Sequence, residues 1–185
     1  MTCYGAKEIA ASFRTVRKNT IAVAEDIPED KYGFQPTPET RTVAQTLVHI
    51  ALAPRMQLEI HGARKLSTMV GVDFPSLFAP IAAEEQIPRN KAQIIELLKS
   101  EGEKYAQFLD GLSEEFLEQS VTFPPGMEPP AKSRFEILLG PKEHEMHHRG
   151  QLMLIERLLG ITPHLTRQMQ ARMAQMMAAQ QAGKA

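Results

Sequence analysis

Ser133-Arg-Phe-Glu136, followed through His144-Glu-Met-His-His148-Arg-Gly-Gln151 to Leu159-Gly160, reads as one long helix, and its reading decides the fold. Ser133 with Glu136 three residues on is the signature of a capping box, and Gly160 followed by Pro163 marks the far end. Pro141 predicts a bend inside it. At about 100° per residue, His144 and His148 share one side with Gln151, Leu152, Ile155 and Leu159. Those apolar positions need a core, so both imidazoles are aimed inward. Two inward imidazoles one helical turn apart can share a single ion, which would satisfy both at once where hydrogen-bond partners are scarce. The ordinary alternative is a pair of hydrogen-bonded core histidines.

Working outward, the remaining chain supplies helices to pack against this one. Ile9, Phe13, Val16, Thr20, Val23, Ala24 and Ile27 recur at helical spacing, which predicts a helix from about 5 to 26, ended before Pro28. A proline-rich loop follows, with Phe34 tucked inward. Thr42 and Gln45 offer a second capping box, opening a helix that runs to about Ala63, apolar on more than one side and kinked at Pro54. A helix of that kind is enclosed. His49 lies on it, which makes it the candidate third ligand. Residues 64–89, with Gly71, Pro75, Pro80 and Pro88, read as an irregular apolar connection, either a pocket wall or a cover for one end of the bundle. Asn90 with Gln93 caps a further helix, carrying Ile94, Leu98, Tyr105, Phe108, Leu109 and Leu112, that ends at Asp110-Gly111. Ser113 begins a short extra turn, and Val121-Thr-Phe123 reads as briefly extended before a run rich in proline. Beyond Pro163, residues 164–185 are rich in Met, Gln and Ala and read as a fifth helix or a frayed extension.

Composition narrows the function. The 185 residues are 43% hydrophobic, with no break before residue 161, which suits one domain, residues 1–163, plus the extension. Formal net charge is -1, so no basic field exists for nucleic acid or for an anionic membrane. No apolar run approaches a membrane span and the N-terminus lacks a signal sequence, so a cytoplasmic location is expected. One cysteine, Cys3, excludes an internal disulfide and a thiolate zinc site; any metal falls to histidine and carboxylate. Cys3 itself reads as incidental.

The stretch His144-Glu145-Met146-His147-His148 also matches the H-E-x-x-H pattern of zinc proteases. The continuation fails: Gln151 and Leu154 stand where the extended pattern needs glycine and histidine, and no acidic residue follows Glu156. A di-iron reading of Glu145-x-x-His148 fails too, because Thr46 stands where a second Glu-x-x-His would need its glutamate before His49. A mononuclear site is the better count. His147 points about 100° away from His148, while His61 and His164 fall near helix ends where capping or solvent contact is the usual role. Gly150 inside a helix suggests close approach of another group.

With Thr42-Val-Ala-Gln-Thr-Leu-Val-His49 on the second helix and His144-x-x-x-His148-Arg-Gly-Gln151-Leu on the fourth, the chain resembles the DinB/YfiT-like family of metalloenzymes over about residues 5–163. The resemblance implies an all-α fold, a four-helix bundle with up-down-down-up connections, and a divalent ion (zinc, nickel, copper or iron) held by His49, His144 and His148. It also implies dimers, and an enzyme acting on a small molecule such as a low-molecular-weight thiol transferred to an electrophile. A non-catalytic metal-binding stress protein is the alternative. One departure stands out: Arg41 occupies the position before the capping Thr42 where the family often has an aromatic residue, which puts any shared substrate pocket in doubt.

Overall fold

The computed structural model describes residues 4–182; Cys3 lies outside the described residues. Helix α1 spans Ala6–Asp26, with the Glu8 carboxylate accepting the Gly5 N–H at its start and Ile27 closing it ahead of Pro28. Helix α2 spans Val43–Leu52. Its capping box forms as the sequence requires: Thr42 Oγ1 accepts from Gln45 N at 3.1 Å, and Gln45 Oε1 accepts from Thr42 N at 2.9 Å. Pro54 then interrupts the ladder, since it has no N–H to offer the Ile50 carbonyl one turn back. The chain resumes as the single turn α3, Arg55–Gln57, and a π-helical segment, Leu58–Ala63.

Residues 64–89 differ from the irregular connection expected. They contain helix α4, Phe74–Glu85, with Asp73 accepting from Ser76 N at its N-cap. Pro75 sits in the first turn, where its missing N–H has no intrahelical partner to lose, and Pro80 is tolerated further in. Prolines that read as breakers therefore sit within a helix. Helix α5, Lys91–Asp110, is capped by Asn90 and Gln93 and closed at Gly111. The short α6, Glu114–Glu118, precedes β1, Ser120–Thr122, which pairs antiparallel with β2, Ala131–Ser133. Helix α7, Arg134–Leu158, carries the Ser133–Glu136 capping box, and Gly160 with φ +77 turns the chain out of it. Helix α8 spans His164–Ala182.

Contacts between named residues fix the directions. Arg14 in the first half of α1 reaches Glu103 and Asp110 in the second half of α5, while Lys91 at the start of α5 meets the Ile27 carbonyl at the end of α1, so α1 and α5 are antiparallel. Tyr4 packs on Phe135, and Arg149 donates to the Val16 carbonyl, so α1 and α7 run parallel. His49 meets His144 and His61 meets Arg134, so α2 with its continuation runs against α7. Arg55 pairs with Glu101, and Gly62 approaches Phe108, which makes α2 and α5 parallel. The result is an all-α four-helix bundle, up-down-down-up, with α2 beside α7.

Apolar residues fill it in layers. Val23, Ile27, Leu47, Ile50, Ile94, Leu98 and Leu152 form one cluster; Ile9, Phe13, Tyr105, Leu109 and Leu138 form another toward the opposite end. Their burial is what drives the four amphipathic helices together. Helix α8 is anchored only at its start, where the His164 ring contacts Asn19 and Arg167 pairs with Asp26. Beyond that it stands clear of its own bundle, with Met169, Met173, Met176 and Met177 exposed. Among the described residues no helix is long and apolar enough to cross a membrane.

Candidate metal centre

The local fold brings His49, from α2, against His144 and His148, from α7. His144 and His148 are one turn apart on the same face, and the antiparallel packing of α2 and α7 lays His49 over both. His49 Nε2 lies 3.1 Å from His144 Nε2, and His148 Nε2 also lies 3.1 Å from His144 Nε2. One nitrogen from each ring falls within 4.8 Å of the others. The three sequence-derived candidates are thus brought to one point.

The outer ring nitrogens define the tautomers. His49 Nδ1 lies 2.7 Å from Glu85 Oε1, and a carboxylate oxygen only accepts, so Nδ1 carries the proton and the Nε2 lone pair faces inward. His148 Nδ1 lies 2.8 Å from Gln151 Oε1 and is fixed in the same sense. The Gln151 amide nitrogen contacts His147 Nε2 at 3.2 Å, which sets the orientation of the amide. Burial, reinforced by neighbouring imidazoles and Arg41, pushes the pKa of His144 down to about 4 and lowers that of His148, so both rings are neutral at pH 7.

Imidazole lone pairs facing a common point repel one another unless a cation or proton lies between them. Ligand nitrogens at about 2.0–2.1 Å in a tetrahedral site stand about 3.3 Å apart, close to the two separations found here. The donor set fits a borderline ion such as zinc, and Glu85 and Gln151 supply the outer hydrogen bonds that commonly orient metal-ligating imidazoles. The third ring differs: His144 Nδ1 is buried without a partner.

Glu145, the acidic residue of the protease-like pattern, is turned away from this point. It is 1% exposed and its carboxylate lies against Arg17, with Nε 3.0 Å from each oxygen and Nη2 2.9 Å from Oε2. A carboxylate held in that way is not free to take a proton from a ligand at the histidines. The other histidines lie elsewhere. His147 is exposed. His61, expected near solvent, is fully buried and lies 2.7 Å from Arg134 Nη1, and burial lowers its pKa to about 4. His164 is buried against Asn19. An ideal Cβ on Gly150 would meet nothing within 4 Å, so no close approach accounts for that glycine.

Glu85 was not visible as a site residue because the helix that carries it was hidden by its prolines. The helix-forming run Ala82-Ala83-Glu84-Glu85 was the available signal. Around the histidines the surface is hollow on two sides. A cavity of about 670 Å³ reaches His148 past Arg41, Thr46 and Gln151 and is walled by Leu154, Ile155 and Leu158. A second, about 280 Å³, reaches His49 and His144 past Met56, Phe78 and Ile81.

Known structures resemble this one along most of its length. A DinB-like protein of Bacillus subtilis is 24% identical and superimposes with a TM-score of 0.60, covering 84% of this chain and 94% of that one. YfiT, also from Bacillus subtilis, is 12% identical with a TM-score of 0.63 over 88% of this chain and 91% of its own; it is described as a probable metal-dependent hydrolase with an unusual four-helix bundle topology. An uncharacterised protein of Clostridium difficile 630 gives a TM-score of 0.62 at 12% identity, with 85% and 98% covered. At such identities these likenesses establish the fold. Comparison with curated proteins finds no match. The sequence model of the DinB superfamily matches residues 12–152, about three quarters of the chain and the whole histidine cluster, and the chain therefore belongs to the DinB superfamily.

Proposed function

We propose that the protein is a metal-dependent enzyme acting on a small molecule, with a divalent ion held by Nε2 of His49, His144 and His148. The observation that carries this reading is the convergence of three ring nitrogens, two of them with their outer nitrogens committed to Glu85 and Gln151. A bound ion would supply positive charge that lowers the pKa of a coordinated thiol or water, making an anionic nucleophile available at neutral pH. Three neutral ligands leave that charge undiminished. The protein's own residues do the rest: Glu85 and Gln151 hold the rings in the productive tautomer, and the walls of Leu154, Ile155 and Leu158 keep water from one side of an electrophile.

Within this reading the reaction is transfer of a low-molecular-weight thiol to an electrophile, with hydrolysis as the neighbouring possibility that the description of YfiT suggests. The two share every residue named above and differ only in the nucleophile. The experiment loads wild type and His49→Ala with zinc, nickel or iron and assays both against thiols paired with electrophiles, and against simple esters and amides. Turnover by the wild type that is lost in the variant supports catalysis. Absence of turnover in every metal form, together with a large fall in melting temperature on chelation, assigns the histidines a structural role instead.

A further inference from the structure

Arg41 stands out among the arginines. Arg14, Arg17, Arg55, Arg64, Arg89, Arg134, Arg149, Arg157 and Arg167 each donate at least one side-chain hydrogen bond. Among the described residues only Arg41 and Arg172 lack one, and Arg172 lies on the exposed part of α8. Arg41 instead lies immediately before the N-cap of α2 and lines both the 670 Å³ cavity that reaches His148 and a smaller one, about 220 Å³, that reaches Glu85. Its neighbours Thr40 and Thr42 spend their side-chain bonds within the turn, Thr40 on Thr37 and Thr42 on Gln45, so neither engages the guanidinium.

We propose that Arg41 makes this centre selective for small monoanions with an apolar body, such as a medium-chain carboxylate, the guanidinium taking the anionic group and Pro36, Leu154, Ile155 and Leu158 covering the chain. This deepens the metal-dependent reading and rests on it for the chemistry, though not for the binding. A guanidinium presents paired N–H donors that match a carboxylate in bidentate fashion, and an arginine with no partner has them all to give. The larger cavity is amphipathic in the order such a ligand needs. Arg41, Thr46 and Gln151 stand with His148, while Leu154 and Leu158 continue one and two turns further along α7. Both leucines are 60% exposed, apolar surface that an alkyl or aryl chain would cover.

The charge count sets the valence. Glu39 lines the same cavity and makes no ion pair with Arg41, so one positive and one negative side chain border it. A single negative charge paired with Arg41 is therefore favoured, and a second one meets Glu39.

Calorimetric titration of octanoate and of its neutral amide into the zinc-loaded and chelator-stripped protein tests the assignment, using wild type, Arg41→Ala and Arg41→Lys. Arg41 is exposed and outside the core, so the variants are expected to fold and to take up the same zinc. Wild type should prefer octanoate to the amide by about tenfold or more in both metal states, the worth of one charge-assisted pair; Arg41→Ala should lose the preference, and Arg41→Lys should keep only part of it. Equal affinity for acid and amide in wild type, absence of octanoate binding, or an undiminished preference in Arg41→Ala overturns the proposal. Preference that depends on Arg41 in the stripped protein upholds it even if the chain proves to use no metal. Conversely, metal-dependent turnover indifferent to substrate charge removes Arg41's role and leaves the metal reading in place.

Discussion

Arg17 of α1 and Glu145 of α7 form a buried ion pair that ties together all four long helices of the bundle. The same guanidinium donates from Nη1 to the Leu98 carbonyl of α5 at 2.7 Å and from Nη2 to the Ile50 carbonyl of α2 at 3.2 Å. The Ile50 carbonyl is the one that Pro54 leaves without its helical partner. Passage to Leu98 depends on Gly102, since a Cβ there would come within 2.8 Å of Arg17 Cγ. Proline, glycine, arginine and glutamate on four helices thus satisfy one another. Ile50 and Glu145 directly follow His49 and His144, so this tie also sets the spacing of the metal centre.

Removing either member of the pair leaves a buried charge without compensation. Glu145→Ala is expected to cost about 3–5 kcal/mol of unfolding free energy in urea denaturation, and Arg17→Met with Glu145→Leu together should restore much of it. A Glu145→Gln protein of unchanged stability and metal content but no turnover would show instead that Glu145 acts as a base.

Much of this arrangement was legible locally and the tie was not. The capping boxes at Thr42, Asn90 and Ser133 formed as read, because a cap is decided by residues three apart. The inward aim of His144 and His148 followed from helical periodicity, and His49 from the enclosure of α2. Arg17 gave no such signal: it is a charged residue within a helix, and its burial depends on partners 33, 81 and 128 positions away. Helix α4, and Glu85 with it, was obscured by Pro75 and Pro80, whose effect depends on their position in the helix more than on their presence.

Glu85 is expected to act on metal affinity through His49. Glu85→Ala should weaken zinc binding by about 10–100-fold in competition with a chromogenic chelator, as loss of an outer carboxylate does elsewhere, while Glu84→Ala, which removes only a contact to Arg89, should not. Equal affinity in both variants would remove Glu85 from the site.

Glu156 gives a pH-dependent term. Both its oxygens are buried without a partner, and burial, with Asp26 nearby, raises its pKa to about 7. Its unfolded value is near 4.5, so between about pH 4.5 and 7 the unfolded state loses the proton that the folded state keeps, and stability falls as pH rises through that window. Glu156→Gln should therefore raise the melting temperature at pH 8, by an amount on the order of 1–3 kcal/mol in stability, and leave it unchanged at pH 4. An equal gain at both values would contradict this assignment.

Helix α8 exposes Met169, Met173, Met176 and Met177 beyond its anchor at His164. We expect this stripe to meet a second copy of the chain, since an isolated helix of this length is marginal in water without a surface to pack on. Light scattering should give a dimer for the full chain and a smaller species after truncation behind Pro163. Identical mass and melting temperature for both would make the stripe a solvated extension.

The central claim is that His49, His144 and His148 bind one ion together, and metal uptake with X-ray absorption measures it most directly. Equilibrium dialysis against zinc should load one ion per chain, with an absorption spectrum of three imidazole nitrogens at about 2.0–2.1 Å, and His144→Ala should abolish uptake in a folded protein. Wild type that emerges free of metal, or a His144→Ala variant that binds zinc as tightly as wild type, would contradict the account.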